Sequence, residues 1–199
     1  MATYHLKTPI SEGEVRKLRV GDVIYVSGNL VTARDQAHKR ALEFLKDGRP
    51  LPVNLEGLAL YHCGPLVKRK GDKWVVISAG PTTSTRMDIF EAEFIRNFRV
   101  RLVIGKGGMG WKTASAMAEY GAVYGAFTGG AAVLAAKAIK GVKGVEWTDL
   151  GIPEAMWILD VENLGPLIVA IDSHGRNLFM ETAQKAEMNR NQIYAKLGL

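Results

Sequence analysis

One cysteine, Cys63, is all the thiol chemistry this 199-residue chain possesses. It can form no internal disulfide, and it cannot ligate an iron–sulfur cluster or a structural zinc through thiolates alone, so a reducing, cytoplasmic setting is expected. A basic-then-apolar leader is absent too: Met1-Ala2-Thr3-Tyr4-His5-Leu6-Lys7 lacks the plan of a signal peptide. Long aliphatic runs are missing. The weakly charged window from Ala114 to Ala136 approaches the length of a membrane span, but it contains Glu119 and is dominated by Ala and Gly, so it reads as strand and helix of a soluble core, with no membrane partner. Charge of one sign is not gathered into long blocks. The net charge of +6 is spread along the chain and favours anionic substrates only weakly; no nucleic-acid partner is indicated. The short run Lys68-Arg69-Lys70, followed by Gly71-Asp72, reads as a solvated hairpin or loop tip. No repeat, low-complexity tract or linker interrupts the sequence, and residues 1–199 are expected to form one domain.

What is present alternates. Ser11-Glu12-Gly13-Glu14 fits a capping box opening a helix to Leu18, and Gly21-Asp22 leads into a strand at Val23–Ser27. Thr32 is expected to cap a second helix, with Asp35 reaching back, that runs to Lys46 before Gly48 and buries Ala37, Ala41, Leu42, Phe44 and Leu45. Leu58–His62 and Trp74–Ile77 read as strands, each closed by a Gly-Pro pair. Then come a helix from Met87 or Ile89 to Phe98, a strand Val100–Ile104, a Gly-rich loop, a helix Thr113–Tyr120, a strand Ala122–Phe127 and a helix Ala131–Ile139. Strand-like segments Gly144–Asp149, Ala155–Val161 and Leu167–Ile171 precede a polar helix near Glu181–Leu197. The pattern predicts α/β layering around a partly parallel, partly antiparallel sheet.

Two loops carry the chemistry. In Ser78-Ala79-Gly80-Pro81-Thr82-Thr83-Ser84-Thr85-Arg86, a turn follows a strand and four consecutive hydroxyl residues lead to an arginine before a helix. Hydroxyls, backbone N–H groups and a guanidinium suit a carboxylate or phosphate, although a Ser/Thr-rich helix cap has the same composition. Gly105-Lys106-Gly107-Gly108-Met109-Gly110 matches G-x-G-x-x-G after a strand and before a helix. The ribose-binding acid about twenty residues on is missing, and Trp111 breaks the spacing of a P-loop. What survives is a backbone nest with Lys106 at its mouth. Arg34, with Thr32 and Asp35 engaged in capping, is expected to be free to face a ligand or solvent. His38 reads as structural, Cys63 as a core thiol and His62 as site-proximal. Asp172-Ser173-His174 resembles fragments of a hydrolytic triad, but adjacent residues on one segment do not readily make the relay, and no G-x-S-x-G elbow is present.

Arg34 in Thr-Ala-Arg-Asp, the Tyr61-His62-Cys63-Gly64-Pro65 turn, Gly80-Pro81-Thr82-Thr83-Ser84-Thr85-Arg86-Met87 and Gly105-Lys106-Gly107-Gly108 occur in this order. Together they resemble the beta subunit, or C-terminal domain, of class I iron–sulfur fumarate hydratases and the related L(+)-tartrate dehydratases, over roughly Thr8 to Asn177. The resemblance implies a swivelling β/β/α three-layer domain. It also implies reversible hydration of fumarate to (S)-malate at a [4Fe–4S] cluster carried by a separate alpha subunit in a heterotetramer, with no cofactor bound by this chain. Carried over by position, Arg34, Arg86 and Lys106 would bind the carboxylates of a small dicarboxylate and Thr82 would take part in proton transfer. Thr83, Gly80, Gly105, Gly107 and His62 would lie close by. The Thr82-Thr83-Ser84-Thr85 run leaves the acting threonine open. Tartrate dehydratase is the nearest alternative; a non-catalytic anion-binding or scaffold module and a nucleotide-binding enzyme are the alternatives of other classes.

Overall fold

A computed structural model describes residues 1–197 of the chain. Its element order is β1 (Thr3–Lys7), α1 (Glu12–Val15), β2 (Val23–Thr32), α2 (Asp35–Lys46), β3 (Ala59–Tyr61), β4 (Leu66–Lys70), β5 (Lys73–Ser78), α3 (Asp88–Phe98), β6 (Leu102–Gly105), α4 (Trp111–Tyr120), β7 (Val123–Ala126), α5 (Ala132–Ala138), β8 (Ile139–Glu146), β9 (Met156–Ile171) and α6 (Leu178–Leu197). The architecture is mixed α/β, with a mixed sheet, as the sequence implied.

The main sheet has seven strands in the order β1-β2-β3-β6-β7-β9-β8, with an additional pairing between β2 and β9. That extra pairing closes β2, β3, β6, β7 and β9 into a ring. β2, β3, β6 and β7 run parallel, and β9 returns antiparallel to both β7 and β2. Strand alternation then sorts side chains between two faces. Ile24, Val26 and Leu30 of β2, Ala59 and Tyr61 of β3, Leu102 and Ile104 of β6 and Trp157 and Leu159 of β9 form one buried cluster. Against it pack Val67, Trp74 and Val76 of the β4–β5 hairpin and Ala135 and Ala138 of α5. Val31, Leu60, Val103 and Tyr124 face the opposite way, onto Ala37 and Ala41 of α2, Phe94 and Ile95 of α3 and Met117 of α4. Hairpin, sheet and helices thus make three layers, and burial on both sheet faces explains why the central strands β3, β6 and β7 are almost uniformly apolar. Among the described residues, no helix is long and apolar enough to cross a membrane.

Several expectations are corrected. β2 continues past Ser27 through a kink at Gly28, whose φ of +99° and close approach to Thr8 both require glycine. Thr32 is therefore in a strand; its hydroxyl accepts from the Trp157 N–H at 3.1 Å and cannot cap α2. The segments Ala155–Val161 and Leu167–Ile171 are one 16-residue strand, because β9 uses its first half against β8 and β2 and its second against β2 and β7. The strand expected at Gly144–Asp149 lies at Ile139–Glu146, so Ile139 opens β8 and does not close α5. The first helix ends at Val15 and α4 opens at Trp111. The strand expected at Val100–Ile104 is β6, shifted toward Gly105, and the terminal helix begins at Leu178. β1, which the sequence reading did not distinguish, pairs in parallel with β2 at the sheet edge.

Candidate active site

The carboxyl ends of the adjacent parallel strands β2, β3 and β6 carry Arg34, His62 and Lys106, and parallel sheets commonly present ligand sites at that edge. The Gly80–Arg86 loop is threaded between the last two. Thr82 N–H donates to the His62 carbonyl at 2.6 Å, and Lys106 N–H donates to the Thr82 carbonyl at 3.3 Å. Ser84 N–H then donates to the Lys106 carbonyl at 2.9 Å, and Thr83 and Lys106 form a parallel bridge. The hydroxyl run is therefore pinned as a short extra strand and is not a free helix cap. A turn of 3₁₀ helix over Ser84–Arg86 carries it into α3, whose N-cap position, Met87, supplies no side-chain bond.

The cations are held differently from one another. Arg34 is the N-cap residue of α2 and makes no side-chain cap bond. It lies 3.2 Å from Glu154 Oε1, and Glu154 Oε2 accepts from the Gln36 N–H at 3.0 Å. Glu154 thus caps α2 from the β8–β9 connection, the place the sequence assigned to Thr32 and Asp35. Arg34 is neither free nor fully exposed. Gly64 is required beside it, since a Cβ there would meet the Pro153 carbonyl at 2.6 Å and the Arg34 guanidinium at 2.8 Å. Arg86, about half exposed, forks onto Asp35 at 3.2 and 2.5 Å, so Asp35 serves an arginine and not its own helix cap. Lys106 is half-buried and has no carboxylate partner among the described residues; its chain lies beside Gly129. Gly107 adopts φ +72°, which turns the nest, and Gly80 leaves room for Ala132.

Beneath the mouth lies a buried polar line. Glu91, on α3, places Oε2 at 2.9 Å from His62 Nε2 and 3.3 Å from His38 Nε2, with all three side chains fully buried. His62 Nδ1 is 2.9 Å from Ser84 Oγ, and Ser84 Oγ is 2.9 Å from the Tyr124 hydroxyl. Burial acts to raise the Glu91 carboxyl, but the adjoining imidazoles of His62 and His38 outweigh it and hold it down to about 2. Burial pushes His62 below the ordinary imidazole value, against the pull of Glu91. Burial likewise lifts Tyr124, and it lifts the Cys63 thiol to about 12 although Arg34 opposes it. Cys63 is an inert core thiol, as expected.

Thr82, Arg34, Lys106, His62, Thr83, Gly80, Gly105 and Gly107 are gathered around this one edge, and Arg86 stands at its rim. Asp172-Ser173-His174 is not: Asp172 accepts from the backbone N–H groups of Val20, His174 and Arg176, a turn-fastening role. The sequence reading missed Glu91, Ser84 as a buried anchor, and Tyr124. Glu91 had a signal, being the lone acid on a helix stripe with Met87, Phe94 and Ile95.

Ring closure, α2, α3 and α4 on one face and a cation-bearing edge define a three-layer α/β protein whose candidate site opens where its parallel strands end. Comparison makes this specific: residues 2–182 match the family model described as Fumarase C-terminus, and the chain belongs to that family. It is 47% identical over 192 residues to the L(+)-tartrate dehydratase subunit beta of Escherichia coli K12, covering 96% of this chain and 94% of that one. It is 44% identical over 185 residues to a putative L(+)-tartrate dehydratase subunit beta of Methanocaldococcus jannaschii, covering 92% and 95%. A putative class I fumarate hydratase of Geobacillus stearothermophilus is 42% identical over 186 residues, 93% of this chain but 35% of that longer one.

Proposed function

We propose that this chain is the beta subunit of a heteromeric class I hydro-lyase acting on a four-carbon dicarboxylate, with fumarate to (S)-malate as its reaction. The observation that carries the reading is the gathering of Arg34, Arg86 and Lys106 around the pinned Thr82 at one open strand edge. A dianion needs more than one cation, and carboxylates already sit on two of these: Glu154 on Arg34 and Asp35 on Arg86. A substrate carboxylate has the same chemistry as those partners. In this reading Arg34, Arg86 and Lys106 bind and orient the two carboxylates and offset the charge that develops when the carbon beside one of them loses its proton. Thr82 Oγ1 moves that proton at the same face; a neutral hydroxyl is a poor base, so a neighbouring cation polarises it or an acid on the partner receives its proton.

A single cysteine, buried with a thiol pushed up to about 12, supports placing the [4Fe–4S] cluster that the resemblance implies on another chain. The cluster belongs, in this proposal, to a separate alpha subunit, and the chain is inactive alone, a cytoplasmic partner in a heterotetramer. The relatives with 44–47% identity are named for L(+)-tartrate, which favours that substrate as the second reading. Assaying the complex purified anaerobically with its cluster-bearing partner on both substrates decides: fumarate hydration is expected, and turnover of tartrate alone overturns it.

A further inference from the structure

The geometry assigns Glu91, acting through His62 and Ser84, as the positioning residue of the substrate loop, which we propose holds Thr82 in register from below. This inference rests on the reading of Thr82 as substrate-facing. Neither Glu91 nor His62 reaches the mouth, since both are fully buried. The Thr82–Ser84 loop nevertheless hangs from them.

On one side, His62 holds the loop twice. Its carbonyl accepts from Thr82 N–H at 2.6 Å, and its ring faces Ser84 Oγ at 2.9 Å, two residues further along. On the other side, His38 Nδ1 donates to the Arg34 carbonyl at 2.8 Å, while its Nε2 edge faces the same Glu91 oxygen at 3.3 Å. Glu91 therefore orders the His62 ring through a hydrogen bond, whereas His38 Nε2 makes none among the described residues and only lies beside the carboxylate.

The direction of the bonds follows from what each atom can do. An ionised Glu91 can only accept, so His62 Nε2 carries the hydrogen. A neutral His62 then accepts at Nδ1 from the Ser84 hydroxyl, and the line ends on the Tyr124 hydroxyl, whose single hydrogen is divided between Ser84 Oγ at 2.9 Å and the Gly107 carbonyl at 3.0 Å. The line has the composition of a Ser–His–acid relay, yet it performs no nucleophilic chemistry: Ser84 is fully buried, and a Cβ built on Gly105 would lie only 1.9 Å from its Oγ. Two imidazoles and a carboxylate also make a metal-ligand set. The spacing decides between them. Ligand atoms on a tetrahedral zinc at about 2.0–2.1 Å lie roughly 3.3 Å or more apart, whereas His62 Nε2 and Glu91 Oε2 are 2.9 Å apart, the length of a hydrogen bond.

The test uses the full-length chain and the assembled enzyme. Nitrogen-15 NMR of the histidine-labelled chain is expected to show His62 protonated at Nε2 and not at Nδ1; the opposite tautomer, or a stoichiometric chelatable metal ion, overturns the proposal. In the complex, Glu91→Leu is expected to lower kcat at least about tenfold, since small misplacements of reacting groups cost up to about a hundredfold. Glu91→Gln keeps an acceptor for Nε2–H and should retain at least about a third of wild-type kcat. If Glu91→Leu does not fold, Ser84→Ala removes the same link and is expected to lower kcat about tenfold with unchanged far-ultraviolet circular dichroism. Wild-type kcat in a folded Glu91→Leu or Ser84→Ala protein refutes the positioning role, as does a Gln variant damaged as much as the Leu one. Lys106→Ala separates the two levels: if it lowers kcat/KM about thirtyfold while Ser84→Ala is silent, only the positioning inference fails, and if Lys106→Ala is silent the site itself is misassigned.

Discussion

The mouth and the floor of the candidate site lie within a few residues of each other and are built on opposite principles. At the mouth, Arg34 and Arg86 are partly exposed and rest on Glu154 and Asp35, pairs that solvent screens and another carboxylate can replace. At the floor, Glu91, His38, His62 and Ser84 are fully buried, so polar atoms lack water as a substitute partner. The mouth is organised for exchange and the floor for permanence. Substitutions at the mouth should act on affinity and turnover directly, and those at the floor on stability and, through the position of the loop, on turnover.

The largest effect is expected where the two levels touch. Gly105→Ala places a methyl against Ser84 Oγ, His62 Nδ1 and the Tyr124 hydroxyl, and so should destabilise the chain by about 3 kcal/mol in urea unfolding. A stable Gly105→Ala protein would show that the floor is loose and would break the contrast. Next comes acid. The Glu91 carboxyl is lowered from 4.5 to about 2 on folding, so its contribution is complete above about pH 4.5 and is lost as the pH falls toward 2. His62 is lowered too, which adds a loss in the same direction beginning below its ordinary value of 6.5. The stability advantage of wild type over Glu91→Gln, on the order of 3 kcal/mol at most, should therefore shrink between pH 4.5 and 2 in urea titrations. An advantage independent of pH would mean that Glu91 is not ionised.

At the mouth, Lys106→Ala is expected to lower kcat/KM by about thirtyfold, roughly 2 kcal/mol, with an unchanged Tm. A fall in Tm with normal kcat/KM would move Lys106 from mouth to floor. The smallest effect belongs to Asp35→Asn, which releases a half-exposed Arg86. Its stability should change by less than about 1 kcal/mol, while KM shifts by less than about tenfold.

Much of the mouth was legible because its signals are local. Hydroxyls after a strand, an arginine before a helix and glycines around Lys106 are each set by a few consecutive residues. The floor was not legible, because His62 and Glu91 meet 29 positions apart and Tyr124 reaches Ser84 across 40. The cap of α2 misled for the same reason. Thr32 and Asp35 have suitable side chains, but Thr32 is held by β9 and Asp35 by Arg86, and Glu154 arrives from 118 residues away.

Legible from the residues alone were a single thiol, too few to hold a cluster through thiolates, an alternation of strands and helices, and cations and hydroxyls at strand ends. Periodicity and composition settle such matters because they act over single turns and single strands. Long-range packing was needed to show that β9 closes the ring onto β2, that Glu154 crosses to Arg34, and that Glu91 lies beneath His62. Those pairings depend on which apolar faces are buried together, and a buried carboxylate is tolerable only where the fold delivers its partners.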